Sequence, residues 1–71
     1  MKYQIKIRGL LGPSWSSQLG GLEISSTEEN GAPFTLLTGT ITDQPALFGI
    51  LDRIRDMNLL PVFVKQIDEE K

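Results

Sequence analysis

The chain has no cysteine and no histidine. The first absence excludes disulfides, thiol nucleophiles and cysteine-held zinc. The second excludes His-based triads, His-bound haem and imidazole metal ligation. A surplus of positive charge is missing too: seven basic residues face nine acidic ones, for a net charge of -2. A chain that holds nucleic acid through its phosphates would tilt the other way. No stretch approaches the ~20 apolar residues of a membrane-spanning helix. Met1 to Leu11 alternates apolar and basic residues without the apolar segment of a signal peptide, so the cytoplasm is the expected location.

What is present is ordinary globular composition, with 39% hydrophobic and 23% charged residues over 71 positions. This predicts one small domain over 1–67 and a polar tail at 68–71. So short a chain buries only about 60% of the surface its unfolded form exposes. With neither disulfide nor metal to help, oligomerisation is the expected support.

Lys2 to Arg8 alternate strictly, with Tyr3, Ile5 and Ile7 on one face and Lys2, Gln4, Lys6 and Arg8 on the other, which predicts a strand. Gly9-Leu10-Leu11-Gly12-Pro13 breaks it. Ser14 to Leu19 is too short for an independent helix, but Ser14 can cap, and Trp15 and Leu19 lie one turn apart. One docked helical turn is expected there. Gly20-Gly21 leads into a strand over 22–27, and Asn30-Gly31 signals a hairpin, read as having a loop longer than two residues. A third strand spans 34–41, where Gly39 on the inner face would let a helix backbone come close.

Thr42 or Asp43 caps a helix reaching about Met57, with Pro45 in its first turn and an apolar stripe of Ala46, Leu47, Ile50, Leu51, Ile54 and Met57. Asn58 suits a left-handed stop, and Pro61 prevents continuation into a strand over 61–67. The sum is an α+β chain of ferredoxin-like βαββαβ order with a stunted first helix. It predicts a four-stranded antiparallel sheet, first and third strands central, and one main helix on one face.

That helix is expected to cover Tyr3, Ile5, Ile7, Leu22, Ile24, Leu37, Ile41, Val62 and Val64. The opposite face then carries Phe34, Leu36, Phe63 and Ile67 among Lys2, Gln4, Lys6, Arg8, Thr38 and Lys65. Four large apolar groups are too many for a purely solvated sheet face. The expected use is self-association, with Leu36, Phe34, Phe63 and Ile67 at the interface. Phe48 lies roughly 130° from the centre of the helix stripe by the ~100° per residue rule and is a separate candidate anchor.

A dimeric α/β-barrel arrangement is the alternative: Arg8, Lys6, Gln4 and Thr38 would line a cavity between two sheets and hold an anionic or carbonyl ligand. An RNA platform is disfavoured, because the first strand puts no aromatic on the open face and no RNP-type run occurs. A modest pocket between the stunted helix and the main helix, lined by Trp15, Ser16, Asp43, Gln44 and Arg55, is the remaining small-molecule candidate. Trp15 filling that gap is the simpler account.

Catalytic and cofactor motifs are absent from the sequence. Gly9-Leu10-Leu11-Gly12 matches a bare GxxG, but it follows a strand and holds two leucines, which makes it a turn. Neither a dinucleotide fingerprint nor a P-loop occurs. Asp52 and Asp56 lie beside Arg53 and Arg55, so surface ion pairing accounts for them. Ser14, Ser16 and Ser17 have no His to activate them. No catalytic residue, cofactor or metal ligand is therefore assigned, and an enzyme is the less favoured class.

Trp15-Ser16, Gly21-Leu22, Leu36-Leu37-Thr38-Gly39, Asp43-Gln44-Pro45-Ala46-Leu47, Leu51 and Arg53-Ile54-Arg55-Asp56-Met57-Asn58-Leu59 together resemble a group of short bacterial proteins of about this length. These are usually left as hypothetical or uncharacterised. Their typical segment reads LLTG, two or three residues, DQAALHGLL, then RVRDLGLPLLSV. Here Phe48-Gly49 stands for the group's His-Gly, and Asn58 for its Gly after the helix. The resemblance implies the same architecture and brings no established activity with it.

Overall fold

A computed structural model describes residues 1–67 of the chain, apart from the side chain of Pro13; the tail expected at 68–71 lies outside the described residues. The first strand, β1, is Lys2–Arg8, and its alternation buries Ile5 and Ile7 completely while Lys2 and Arg8 stay exposed. The turn expected at Ser14 to Leu19 is a 3-10 segment, Pro13–Leu19. Gly12, in extended conformation, stands at its N-cap with no side-chain bond, so Ser14 is inside the segment and does not cap it. Leu19 is fully buried and Trp15 packs against the core half-buried. Gly20, at φ +77°, ends the segment in the left-handed region that favours glycine.

Strands β2 (Glu23–Glu29) and β3 (Ala32–Thr40) pair antiparallel up to Glu29 opposite Ala32. Only Asn30 and Gly31 join them, at φ +53° and +81°. The loop expected to be longer is thus a two-residue turn. Positive φ at both central positions matches the twist of the flanking strands, which lets the ladder run to its end.

Helix α1, Gln44–Asp56, begins where the Asp43 carboxylate accepts the Ala46 N–H at 2.9 Å, with Pro45 in the first turn. Leu47, Ile50 and Ile54 are buried; Ala46, Leu51 and Met57 pack partly buried beside them. At the other end Asn58 takes φ +61°. Its N–H donates to the Arg55 carbonyl at 2.9 Å and the Leu59 N–H to the Ile54 carbonyl at 3.2 Å, the paired bonds of a Schellman stop. Strand β4, Leu60–Gln66, follows at once.

The sheet runs β2-β3-β1-β4, antiparallel throughout, with β1 and β3 in the middle. One face is apolar: Ile5, Ile7, Leu37 and Ile41 meet Leu11, Leu19, Leu22, Leu47, Ile50 and Ile54 in a single core. The architecture is α+β, a four-stranded antiparallel sheet with one main helix. The first helical piece is only the seven-residue 3-10 segment, so the second α-helix of a full βαββαβ unit is not formed.

Two packing expectations are corrected. Gly39 makes room for Leu22 and not for a helix backbone: a Cβ there would stand 2.8 Å from Leu22 Cδ2 and 3.5 Å from Leu22 Cα. The helix also leaves Val62 and Val64 uncovered, at 51% and 37% exposure. The reason is the place of β4 at the sheet's edge: β1 is its one neighbouring strand, so the helix-side residues of β4 are open on the outer side.

Thr35 is the one buried polar residue of the core region among the described residues, fully inaccessible on the helix-side face of β3. Its hydroxyl donates to the Gly9 carbonyl at 2.7 Å and accepts the Leu11 N–H at 3.1 Å. A single side chain therefore pins the loop that links β1 to the 3-10 segment, a loop too irregular to satisfy its own backbone groups.

Candidate interaction surface

Alternation along each strand sends every second side chain to the face away from α1. The register fixes the neighbours there. Lys6 lies between Leu36 of β3 and Phe63 of β4, Arg8 between Phe34 and Leu60, and Gln4 between Thr38 and Lys65. On the β2 side, Thr27 stands opposite Phe34, Ser25 opposite Leu36 and Glu23 opposite Thr38. Ile67 joins at the corner, its N–H donating to the Lys2 carbonyl at 2.8 Å. Four of the five proposed interface residues, Phe34, Leu36, Phe63 and Ile67, are thus brought to one face, each half-buried.

Their partial cover has a specific cause. The Lys6 ammonium sits 4.6 Å from the Phe34 ring centroid and meets both carboxylate oxygens of Glu29 at 2.7 Å. To do so its stem crosses β3, since neighbouring strands lie about 4.8 Å apart and β1 and β2 flank that strand. The Lys6 side chain is only 15% exposed and Glu29 49%, so the pair is better sheltered than an ordinary surface ion pair. Lys65 lies over Phe63 in the same manner, 5.3 Å from the centroid. Lysine stems and cation–π contacts cover much of the aromatic surface. Sequence reasoning named both rings and both lysines; it missed the bond to Glu29, 23 positions away, which only the sheet register creates.

Charge is segregated across this face. β2 contributes Glu23 and Glu29, β3 contributes no charge, and β1 and β4 contribute Lys2, Lys6, Arg8 and Lys65. The result is an acidic margin, an apolar centre of Phe34 and Leu36, and a basic flank.

Phe48 stands apart from that face. It lies on α1, on the other side of the sheet, and is 58% exposed. The proposed pocket residues are scattered. Trp15 packs on the core, Ser16 Oγ donates to the Leu22 carbonyl at 2.7 Å, and Asp43 is occupied as the helix cap. Gln44 is exposed in the first helical turn. Arg55, paired with Asp52 at 3.3 Å, is twelve residues beyond Asp43, about 18 Å along the axis at 1.5 Å per residue. A shallow groove of about 440 Å³ exists elsewhere, bordered by Leu10, Ser26, Thr27, Glu28 and Pro33. Its lining offers one carboxylate, Glu28, and the hydroxyls of Ser26 and Thr27.

Among the described residues no group of three or more acidic side chains is placed to hold a metal ion, and no helix is long and apolar enough to cross a membrane. Comparison with known proteins returns one family: residues 2–63 match the model described as Domain of unknown function (DUF8691). That span is most of the chain, and the protein belongs to this family. No curated protein and no solved structure matches the chain.

Proposed function

We propose that this member of a family of unknown function is a small cytoplasmic self-association module, without catalysis of its own, whose open sheet face meets the same face of a second copy. The observation that carries the reading is the charge layout around the half-buried apolar centre. A two-fold axis running along β3, midway between the two facing sheets, lays β2 of one copy, with Glu23 and Glu29, on β1 of the other, with Lys2, Lys6 and Arg8. It also brings Phe34 and Leu36 of both copies together. A regulatory role, in which association controls a partner's access to that face, is part of the proposal. The same reading takes the architecture as ferredoxin-like, with the first helix reduced to the 3-10 segment. It takes residues 1–67 as the domain.

The cavity-forming, barrel-like alternative receives less support, because the Lys6 ammonium it would aim at a ligand is held by Glu29. Sedimentation velocity over a concentration series tests the face-to-face reading. Wild type should exceed the 7.9 kDa chain mass as concentration rises, and Leu36→Glu, which sets a carboxylate in the apolar centre, should lower that mass. A mass indifferent to Leu36→Glu removes the reading.

A further inference from the structure

The two edges of the sheet are built differently. β2 carries Glu23, Glu28 and Glu29 within seven residues. A two-fold pairing of β2 with itself about Ser26 would set Glu23 against Glu29, a like-charge contact that blocks it. β4 reads Leu60-Pro61-Val62-Phe63-Val64-Lys65-Gln66 and has one charge, with Val62 and Val64 exposed on the helix side.

Pro61 and a shift of register between Lys6 and Ile7 blunt the first part of β4. Beyond the shift the pairing with β1 is regular, from Phe63 opposite Lys6 to Gln66 opposite Tyr3. The direction of the backbone groups in that stretch follows from one bond. The Ile67 N–H donates inward to the Lys2 carbonyl, so Lys65 and Phe63 also point their backbone groups at β1. Val64, on the other parity, points its N–H and C=O outward.

We propose that the outer edge of β4 pairs antiparallel with β4 of a second copy, about a two-fold axis at Val64, joining two four-stranded sheets into one of eight. The register is self-complementary. Val64 meets Val64 as a hydrogen-bonded pair exchanging two N–H···O bonds. Lys65 of each copy lands opposite Phe63 of the other, repeating across the junction the ammonium–ring pairing each chain already makes at 5.3 Å. Within Leu60–Gln66 no lysine faces a lysine and no carboxylate occurs. This self-matching of ammonium to ring, set against the Glu23–Glu29 repulsion that the same pairing meets at β2, selects a second copy as the occupant. The edge contact is separate from the face-to-face contact, and either can exist without the other.

The test is sedimentation velocity on wild type, Val64→Pro, Leu36→Glu and the double variant, with thermal unfolding of each to confirm folding. Proline at 64 removes an outward N–H only, so the ladder to β1 is retained. Val64→Lys is the second edge variant, placing two ammonium groups at the axis. The expected result is that Val64→Pro and Val64→Lys each halve the largest mass reached, in the wild-type and in the Leu36→Glu background alike. Val64 variants with wild-type mass in both backgrounds overturn the edge pairing. So does a wild type with no edge-dependent step, which leaves the edge to a strand from a different protein. Mass lost on Leu36→Glu but not at Val64 keeps the face and removes the edge; the converse keeps the edge and removes the face.

Discussion

Replacing Thr35 by valine tests how this small core is held together, because two physical accounts predict opposite signs. Valine has nearly the same shape and is more apolar, so burial alone makes Thr35→Val neutral or stabilising at a site with no exposure. The hydrogen bonds say otherwise. Valine leaves the Leu11 N–H and the Gly9 carbonyl without the hydroxyl they meet at 3.1 and 2.7 Å. Leu11 is buried and Gly9 only half so, which means that water can replace the hydroxyl at Gly9 but not readily at Leu11. Each unmade buried bond costs about 1–3 kcal/mol, and partial rescue at Gly9 puts the total near 2–4 kcal/mol.

Thr35→Ser keeps both bonds and loses one methyl, about 1 kcal/mol. Valine should therefore be the worse of the two. At roughly 0.05–0.15 kcal/mol per residue a domain of this size holds only about 4–10 kcal/mol, so the valine loss is a large share of the whole. In urea titrations at constant m-value the midpoint should fall in the order wild type, serine, valine, and the melting temperature should drop by roughly 8–30 °C for valine. Amide exchange at Leu11 should accelerate beyond what global destabilisation explains. A valine variant as stable as the serine one would refute the account.

Three further outcomes follow from local geometry. Gly39→Ala forces its new methyl to within 2.8 Å of Leu22 Cδ2 and should cost about 1–3 kcal/mol by urea unfolding. Asp43→Ala removes the carboxylate that receives the Ala46 N–H; it should cost about 1 kcal/mol, while Asp43→Asn should cost less than half of that. Asn58→Gly relieves a left-handed residue at φ +61° and should raise the melting temperature by a few degrees, equivalent to up to about 1 kcal/mol. No gain in melting temperature would show that Asn58 carries a compensating contact.

Elements set by short-range pattern were legible in advance. The strict alternation of Lys2 to Arg8 marks β1, and Asp43, Pro45 and Asn58 bracket α1 on either side of its apolar stripe. Because a strand's faces follow from parity alone, Phe34, Leu36, Phe63 and Ile67 could be placed together before any contact was known. Boundaries that depend on a partner were less legible. The hairpin tightened to Asn30-Gly31 because β2 and β3 stay paired as far as Glu29 and Ala32, a property of two strands and not of the turn.

The sequence alone determined the chemistry excluded by the missing cysteine and histidine, the element order, and the amphipathic split of the sheet. Each of these depends on residue type and spacing of a few positions. Tertiary structure decided the rest: that Lys6 spans β3 to hold Glu29, that Thr35 ties down Gly9 and Leu11, that Leu22 fills the space over Gly39, and that Val62 and Val64 remain uncovered. The physical reason is common to all four. A contact between residues some 15 to 30 positions apart depends on which strands become neighbours and where the helix comes to rest. Those choices are made by the packing of the whole core, with no counterpart in the local pattern at either end.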